Sequence, residues 1–298
     1  MKYRRLGKSK LNVSEISLGG MSLKENTITS VKLIHKVIDY GINLFDTADL
    51  YEKGQNELLI GQALKDHRKD VIIATKVGNQ WRKDGNGWDW NPRKTYVLKA
   101  VDESLTRLQT DYIDLYQLHG GTIDDPIDEI IDAFETLQKQ GKIRYYGISS
   151  IRPNVIQEYV KRSSIVSVMM QYSLLDRRPE EESLGLLEKN NIGVLARGTL
   201  AKGLLAGKPA IDYLGYSVTE VKNTIKVLKE VSGKERNIGQ TAIQYILKNG
   251  ALSSAVIGVR TSKQLDECFE KTSIAELFDE DYLMLKKSNI PLRYTNHR

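Results

Sequence analysis

Cysteine is nearly missing from this chain: Cys268 is the only one among 298 residues, which excludes an internal disulfide and any cysteine-cluster metal site. Histidine is also scarce, and of the four present His35, His67 and His297 fall on helical patterns or at the chain end, leaving His119. No apolar run approaches the roughly 18 residues of a membrane span. The basic opening stretch MKYRRLGKSK leads into no apolar segment of the kind a secretory signal needs. Linkers and low-complexity tracts are lacking, and no G-x-G-x-x-G follows the first strand-like run, which argues against an open doubly wound sheet. We therefore expect one domain over residues 1–298, cytoplasmic, without membrane attachment and without a metal.

The charge has little asymmetry along the chain. Lys and Arg number 44 against 38 Asp and Glu, a net charge of +6 with a pI near 9.1, and the basic residues form no tail or block. Such a diffuse excess favours anionic ligands, phosphorylated cofactors included, but does not indicate nucleic acid as a partner.

Alternation is what the chain does have. Eight strand-like runs stand out: VSEISLGG (13–20), INLFDTA (42–48), VIIATKV (71–77), YIDLYQLH (112–119), RYYGISS (144–150), VSVMMQYS (166–173), IGVLARG (192–198) and SSAVIGV (253–259). Helical patterns lie near 29–40, 54–65, 93–108, 126–140, 153–162, 180–190, 239–249 and 262–271. This alternation indicates a parallel α/β architecture, and eight units suggest closure into a (β/α)8 TIM barrel. Pro92 and Pro126 open helical segments, while Gly41 and Gly141 follow them, where a left-handed residue is often needed. Three segments exceed the pattern. Residues 2–11 suit a hairpin plugging one end of the barrel, 78–91 read as a long loop, and 203–232 hold a loop and one of the extra C-terminal helices (219–231).

Polar residues close three of the apolar runs: Asp46, Lys76 and His119, with Tyr51 in the loop after the first. Residues at the C-terminal ends of parallel strands converge on one face of a βα barrel. A lysine entering the interior needs a partner, and Asp46 is the natural counter-ion; a structural ion pair is one reading of the two. A Schiff-base lysine is another, although a carboxylate that keeps the amine protonated works against it. Tyr51 either packs its ring on a helix or serves as a general acid, since a nearby cation eases loss of the phenol proton. His119, before Gly120-Gly121, either caps the strand end or orients a carbonyl group. Together an acid, a phenol, an amine and an imidazole make a proton-transfer site.

The stretch GINLFDTADLYEKGQNELLIGQAL (41–64) resembles the first signature of the aldo-keto reductases: Asp-Thr-Ala, a tyrosine soon after, then Glu and a small-residue helix. ISLGGMSL (16–23), RLQTDYIDLYQLH (107–119), GKIRYYGISS (141–150) and LAKGLLAGK (200–208) extend the resemblance over nearly the whole chain. It is most similar to the bacterial branch with short loops, which also resembles potassium-channel β subunits. The resemblance implies a (β/α)8 barrel and NAD(P)H-dependent reduction of aldehydes or ketones, with Asp46, Tyr51, Lys76 and His119 as the catalytic tetrad. In that reading Tyr51 supplies the proton, Lys76 biases the phenol, Asp46 orients and balances the lysine, and His119 positions the carbonyl.

The resemblance implies a nicotinamide dinucleotide, and Arg260, as a bidentate phosphate reader, supports NADPH over NADH. The resemblance sets Ser149, Ser150 and Gln171 beside the carboxamide, and Leu200, Lys202, Gly203 and Leu204 along the pyrophosphate. Arg260, Thr261, Gln264 and Glu267 fall near the adenosine phosphate, and Met21 joins the contact set. Four positions depart from the family pattern: Ser150 and Cys268 each replace an asparagine, Gln264 an arginine, and Arg197 the aromatic residue that stacks on the nicotinamide. Two other readings stay open at this stage, a cofactor-binding redox sensor and a Schiff-base aldolase.

All three tryptophans, Trp81, Trp88 and Trp90, lie in the 78–91 segment. They either wall an apolar substrate pocket or pack the segment onto the barrel. A tryptophan wall predicts that long-chain or aromatic aldehydes outcompete a free sugar in a mixed-substrate reductase assay. Strong sugar preference would remove that reading.

Overall fold

Eight short parallel strands, buried on both faces, organise the molecule. The structure is a computed structural model and describes residues 1–23, 27–269 and 275–298. The chain begins with an antiparallel hairpin, β1 (Tyr3–Arg5) and β2 (Asn12–Ser14). The barrel strands β3 (Ile16–Gly19), β4 (Leu44–Asp46) and β5 (Ile72–Val77) follow. A second hairpin, β6 (Asn79–Trp81) and β7 (Trp88–Trp90), then interrupts the series. The remaining barrel strands are β8 (Ile113–Leu118), β9 (Ile143–Ser149), β10 (Ser167–Gln171), β11 (Gly193–Arg197) and β12 (Leu252–Ile257). Neighbours pair in parallel around the ring, and β12 returns to β3, so the barrel is closed.

Each barrel strand leads into a helix. These are α1 (Thr27–Asp39), α2 (Gln55–Leu64), α3 (Lys94–Leu108), α4 (Ile127–Lys139), α5 (Pro153–Arg162) and α6 (Ser183–Lys189). The extra helix α7 (Val218–Ser232) precedes α8 (Ile238–Leu247) and α9 (Ser262–Phe269), and α10 (Asp279–Lys287) packs against α7. The start of α7 is encoded locally: Ser217 and Glu220 form a reciprocal capping box that satisfies two otherwise free N–H groups.

All eight expected strands are present, and each expected helix lies close to its reading. Residues 270 and 271, expected to end the last of these, lie outside the described residues. Two differences have physical causes. Residues 78–91 hold a hairpin where a loop was expected, because Gly85 and Gly87 take positive φ (73° and 98°) and let the flanking tryptophan segments pair. Pro92 stands outside α3, whose entry is instead fixed by the Asn91 side chain accepting from Arg93 N at 3.2 Å.

Successive strand residues point to opposite faces. Phe45, Ile73, Tyr116, Val168 and Val194 face the helix layer and pack with Val101 and Phe134. Leu44, Ala74, Leu115, Met169, Leu195 and Val256 fill the interior with Leu6, Leu11 and Val13 of the N-terminal hairpin. This hairpin plugs the end of the barrel where the strands begin: Arg4 donates to the Leu252 carbonyl, and Ser253 Oγ donates to that of Arg5. Its turn passes so close to the strands that a Cβ on Gly7 (φ +53°) would stand 2.4 Å from the Val166 oxygen and 2.6 Å from Gly193 N. Gly7→Ala is therefore expected to lose about 2–3 kcal/mol through backbone strain and overpacking. Thermal melting checks this: Tm should fall by roughly 5 °C or more, and an unchanged Tm would mean the plug is not seated.

Candidate active site

The interior rows of the barrel change character within two residues at the C-terminal rim. Asp46 follows Leu44, Lys76 follows Ala74, Gln171 follows Met169, and Arg197 follows Leu195, so period-two geometry aims all four into the mouth. The row of Leu115 reaches His119 two residues past Gln117. Sequence spacing alone thus brings these residues to one end.

Tyr51 arrives by a loop that needs unusual backbone. Past β4 the chain stays attached to β5, with Thr47 N donating to the Ala74 carbonyl at 2.8 Å and Asp49 N to that of Lys76 at 3.3 Å. Glu52, Lys53 and Gly54 then take φ of 50°, 55° and 85°, three consecutive left-handed residues that turn the chain into α2. Asn56 staples this turn, accepting from Thr47 Oγ1 at 2.7 Å and donating to the Gly20 carbonyl at 2.9 Å.

The four residues meet. Lys76 Nζ, 1% exposed, donates to Asp46 Oδ2 at 2.7 Å and to the Thr47 carbonyl at 2.7 Å, and lies 3.5 Å from the Tyr51 hydroxyl. The His119 ring stands edge-to-face on Tyr51, with centroids 5.7 Å apart and planes at 85°. Burial alone would lower the Lys76 pKa, but the charges of Asp46 and Tyr51 outweigh it and hold the ammonium above its usual range. Burial likewise lifts the Asp46 carboxyl, against the pull of Lys76, the Gln117 amide and Arg197. The two behave as one coupled pair with the proton on the amine. A protonated amine is a poor nucleophile, which removes the support for a Schiff base. Burial, then the charges of Lys76 and Arg197, push the His119 pKa down to about 3, so this imidazole is neutral at physiological pH.

The remaining expected residues fall around the same mouth or along its rim. Met21, 68% exposed, follows β3. Ser149 ends β9, and the Ser150 hydroxyl accepts from Arg152 N at 3.2 Å. Gln171 takes a hydrogen bond from Arg197 at 3.0 Å and donates to the Tyr213 hydroxyl at 3.3 Å. Leu200, Lys202, Gly203 and Leu204 lie in a tight turn in which Lys202 and Gly203 have φ of 58° and 96°. Arg260 and Thr261 precede α9. There Gln264 accepts from Arg260 N at 2.8 Å and Thr261 Oγ1 accepts from Gln264 N at 3.2 Å; the Glu267 carbonyl is held by Asn237. The chemistry of this donor set suits a dinucleotide: a neutral amide and hydroxyls at the mouth for a carboxamide, and a guanidinium beside a helix N-terminus for a phosphate. Among the described residues no cluster of three or more His, Cys, Asp or Glu could hold a metal ion.

The tryptophans are not equivalent. Trp90 donates to Asp125 at 2.9 Å and covers Gly78, whose Cβ position lies 2.5 Å from its ring. Trp81 donates to the Leu50 carbonyl at 3.1 Å, next to Tyr51, with Lys53 over its ring, while Trp88 is exposed.

Sequence reasoning missed the layer behind the loop. Asn79 donates to the His119 carbonyl at 3.2 Å. Buried Glu57 accepts from Thr75 at 2.5 Å and from Arg107 at 2.7 Å, and Asp49 takes a weak 3.4 Å bond from Tyr96. Burial and the Glu57 charge push the Asp49 carboxyl up to about 8, against the pull of Arg107, the Leu50 N–H and Tyr96. A single residue between Asp46 and Tyr51 carried no signal beyond its charge.

The folded protein thus keeps the Asp49 proton up to about pH 8, whereas the unfolded chain releases it near pH 4. Its contribution to stability is full below pH 4 and declines as pH rises through this window, by up to about 1.4 kcal/mol per pH unit. Asp49→Asn, neutral throughout, is expected to remove that decline in urea-unfolding midpoints measured from pH 5 to 8. Identical slopes in variant and wild type would show Asp49 already ionised in the fold.

Comparison with known proteins agrees with this fold. The sequence model of the aldo/keto reductase family matches residues 15–290. An uncharacterized oxidoreductase of Bacillus subtilis, YqkF, is 48% identical over 100% of both chains. An NADH-specific methylglyoxal reductase of Escherichia coli is 29% identical, covering 96% of this chain and 98% of that protein. The holo form of aldo-keto reductase AKR11C1 from Bacillus halodurans superimposes with a TM-score of 0.94 at 47% identity, covering 100% of this chain and 99% of that one. Its apo form gives 0.85 over the same coverage. The chain belongs to the aldo/keto reductase family and is an NAD(P)H-dependent oxidoreductase of carbonyl compounds.

Proposed function

We propose that the protein reduces aldehydes or ketones with NADPH, using Tyr51 as the general acid. The observation that carries this reading is the buried Lys76 ammonium, tied to Asp46 at 2.7 Å and within 3.5 Å of the Tyr51 hydroxyl. Bound at the mouth, the reduced nicotinamide supplies the hydride. As negative charge develops on the substrate oxygen, Tyr51 gives up its proton, and Lys76 stabilises the phenolate left behind. Asp46 and the Thr47 carbonyl hold the amine in place. Neutral His119 orients the carbonyl through a hydrogen bond and carries no charge that would compete with Lys76.

Ser149, Ser150 and Gln171 would hold the carboxamide, and Leu200, Lys202, Gly203 and Leu204 the pyrophosphate. Arg260, Thr261, Gln264 and Glu267 would take the adenosine end, with Met21 at the rim. The exposed guanidinium of Arg260, next to the start of α9, supports NADPH over NADH as a bidentate reader of the extra phosphate. The closer likeness to a holo than to an apo relative supports an arrangement ready for cofactor. Trp88, and Trp81 beside the Tyr51 loop, would line the substrate side. We place the enzyme in the cytoplasm as one catalytic unit, and among the described residues no helix is long and apolar enough to cross a membrane.

Tyr51→Phe is expected to cut carbonyl-dependent NADPH oxidation by about 10²–10⁴ while leaving dinucleotide affinity intact. Absorbance at 340 nm, run in parallel with NADH, measures turnover and cofactor preference, and titration calorimetry measures the affinity. Undiminished turnover in the variant would assign proton donation elsewhere, and faster turnover with NADH would overturn the cofactor preference.

A further inference from the structure

We propose that Arg197 makes the mouth bind the reduced dinucleotide more tightly than the oxidised one, so that spent cofactor is expelled by charge. The inference rests on the reductase reading above and goes on to the selection of redox state. The two cofactor forms share every phosphate, sugar and base; they differ in a nicotinamide ring that is neutral when reduced and cationic when oxidised. Their ratio of affinities therefore reports only the surroundings of that ring.

Those surroundings follow from the chemistry. Hydride must reach the carbon bonded to the oxygen that Tyr51 and His119 hold, with reacting atoms about 3–3.5 Å apart. The ring consequently lies in the mouth. There Lys76 is balanced by Asp46 at 2.7 Å, and His119 is neutral. Arg197 is different. It is the exposed last residue of β11, on the interior row after Leu195, and its hydrogen-bond partner, Gln171 Oε1 at 3.0 Å, is a neutral amide. No carboxylate pairs with it among the described residues, yet its charge is felt at both Asp46 and His119. Lys53, the cation of the Tyr51 loop, lies over the Trp81 ring and is not among the charges acting on His119.

An unbalanced positive charge at the mouth, at the effective dielectric of a partly exposed site, would change the Kd of a cationic ring held there by about tenfold. With an oxidised cofactor bound, Arg197 would favour its departure, which helps where release limits turnover.

Titration calorimetry with NADPH and NADP⁺ at fixed ionic strength tests the proposal without reference to activity. The wild type is expected to hold NADP⁺ about tenfold more weakly than NADPH. Arg197→Gln should reduce that ratio by about tenfold, chiefly by tightening NADP⁺, and Arg197→Lys, which keeps the charge, should preserve it. Arg260→Gln should weaken both forms alike. A wild-type ratio in Arg197→Gln overturns the role of Arg197 and leaves the reductase reading standing. Failure of the wild type to bind either dinucleotide overturns both.

Discussion

A lysine ammonium withdrawn almost completely from water is the constraint around which this site is built. Removing such a charge from solvent costs several kcal/mol, and the cost is offset only where geometry supplies close, complementary oxygens. Lys76 has two, the Asp46 carboxylate and the Thr47 carbonyl, each at 2.7 Å. Both come from the neighbouring strand β4 and its continuation, which the parallel register sets against β5. Lys76 without Asp46, or Asp46 without Lys76, would be a buried charge with no counter-charge, so the pair stands or falls together. The Tyr51 hydroxyl occupies the next place near the same amine.

One fully charged pair then governs the protonation of its neighbours. The Lys76 charge adds to burial in keeping His119 neutral, and Arg197 acts in the same sense. On the other side of the Tyr51 loop, Glu57 and burial together keep a proton on Asp49. The loop carrying the phenol therefore runs between an ion pair at the mouth and a carboxyl group that is neutral behind it.

The barrel strands and the meeting of Asp46, Lys76 and His119 were legible because both depend on short-range order. Apolar runs mark strands, and a period of two decides which residues face inward. Tyr51 was legible from its distance past the strand, although its placement requires left-handed backbone at Glu52 and Lys53 that no composition rule announces. The network of Glu57, Arg107, Thr75 and Asp49 was hidden because its members come from α2, α3, β5 and a loop, and within a helical pattern Glu57 is one more acidic residue. The hairpin of residues 79–90 reads as a loop because its strands are only three residues each, too short for an alternating pattern to register. Arg197 stood out as a departure from a family pattern, but its partner Gln171 lies on the adjacent strand, a relation that only the register reveals.

The two ends of the barrel are physically coupled through the layer between them. Along β4, β5 and β11 the interior changes from Leu44, Ala74 and Leu195 to Asp46, Lys76 and Arg197, a boundary crossed in about 6–7 Å of strand. The desolvation that holds Lys76 to Asp46 and keeps His119 neutral is supplied by this apolar layer. Leu6, Leu11 and Val13 of the N-terminal hairpin complete this apolar layer from below. A hairpin at the far end of the barrel, with no residue near the mouth, is thus part of what sets the dielectric in which the proton donor works. Water admitted at the plug would weaken the ion pair and raise the charged fraction of His119 together, since both respond to the same burial.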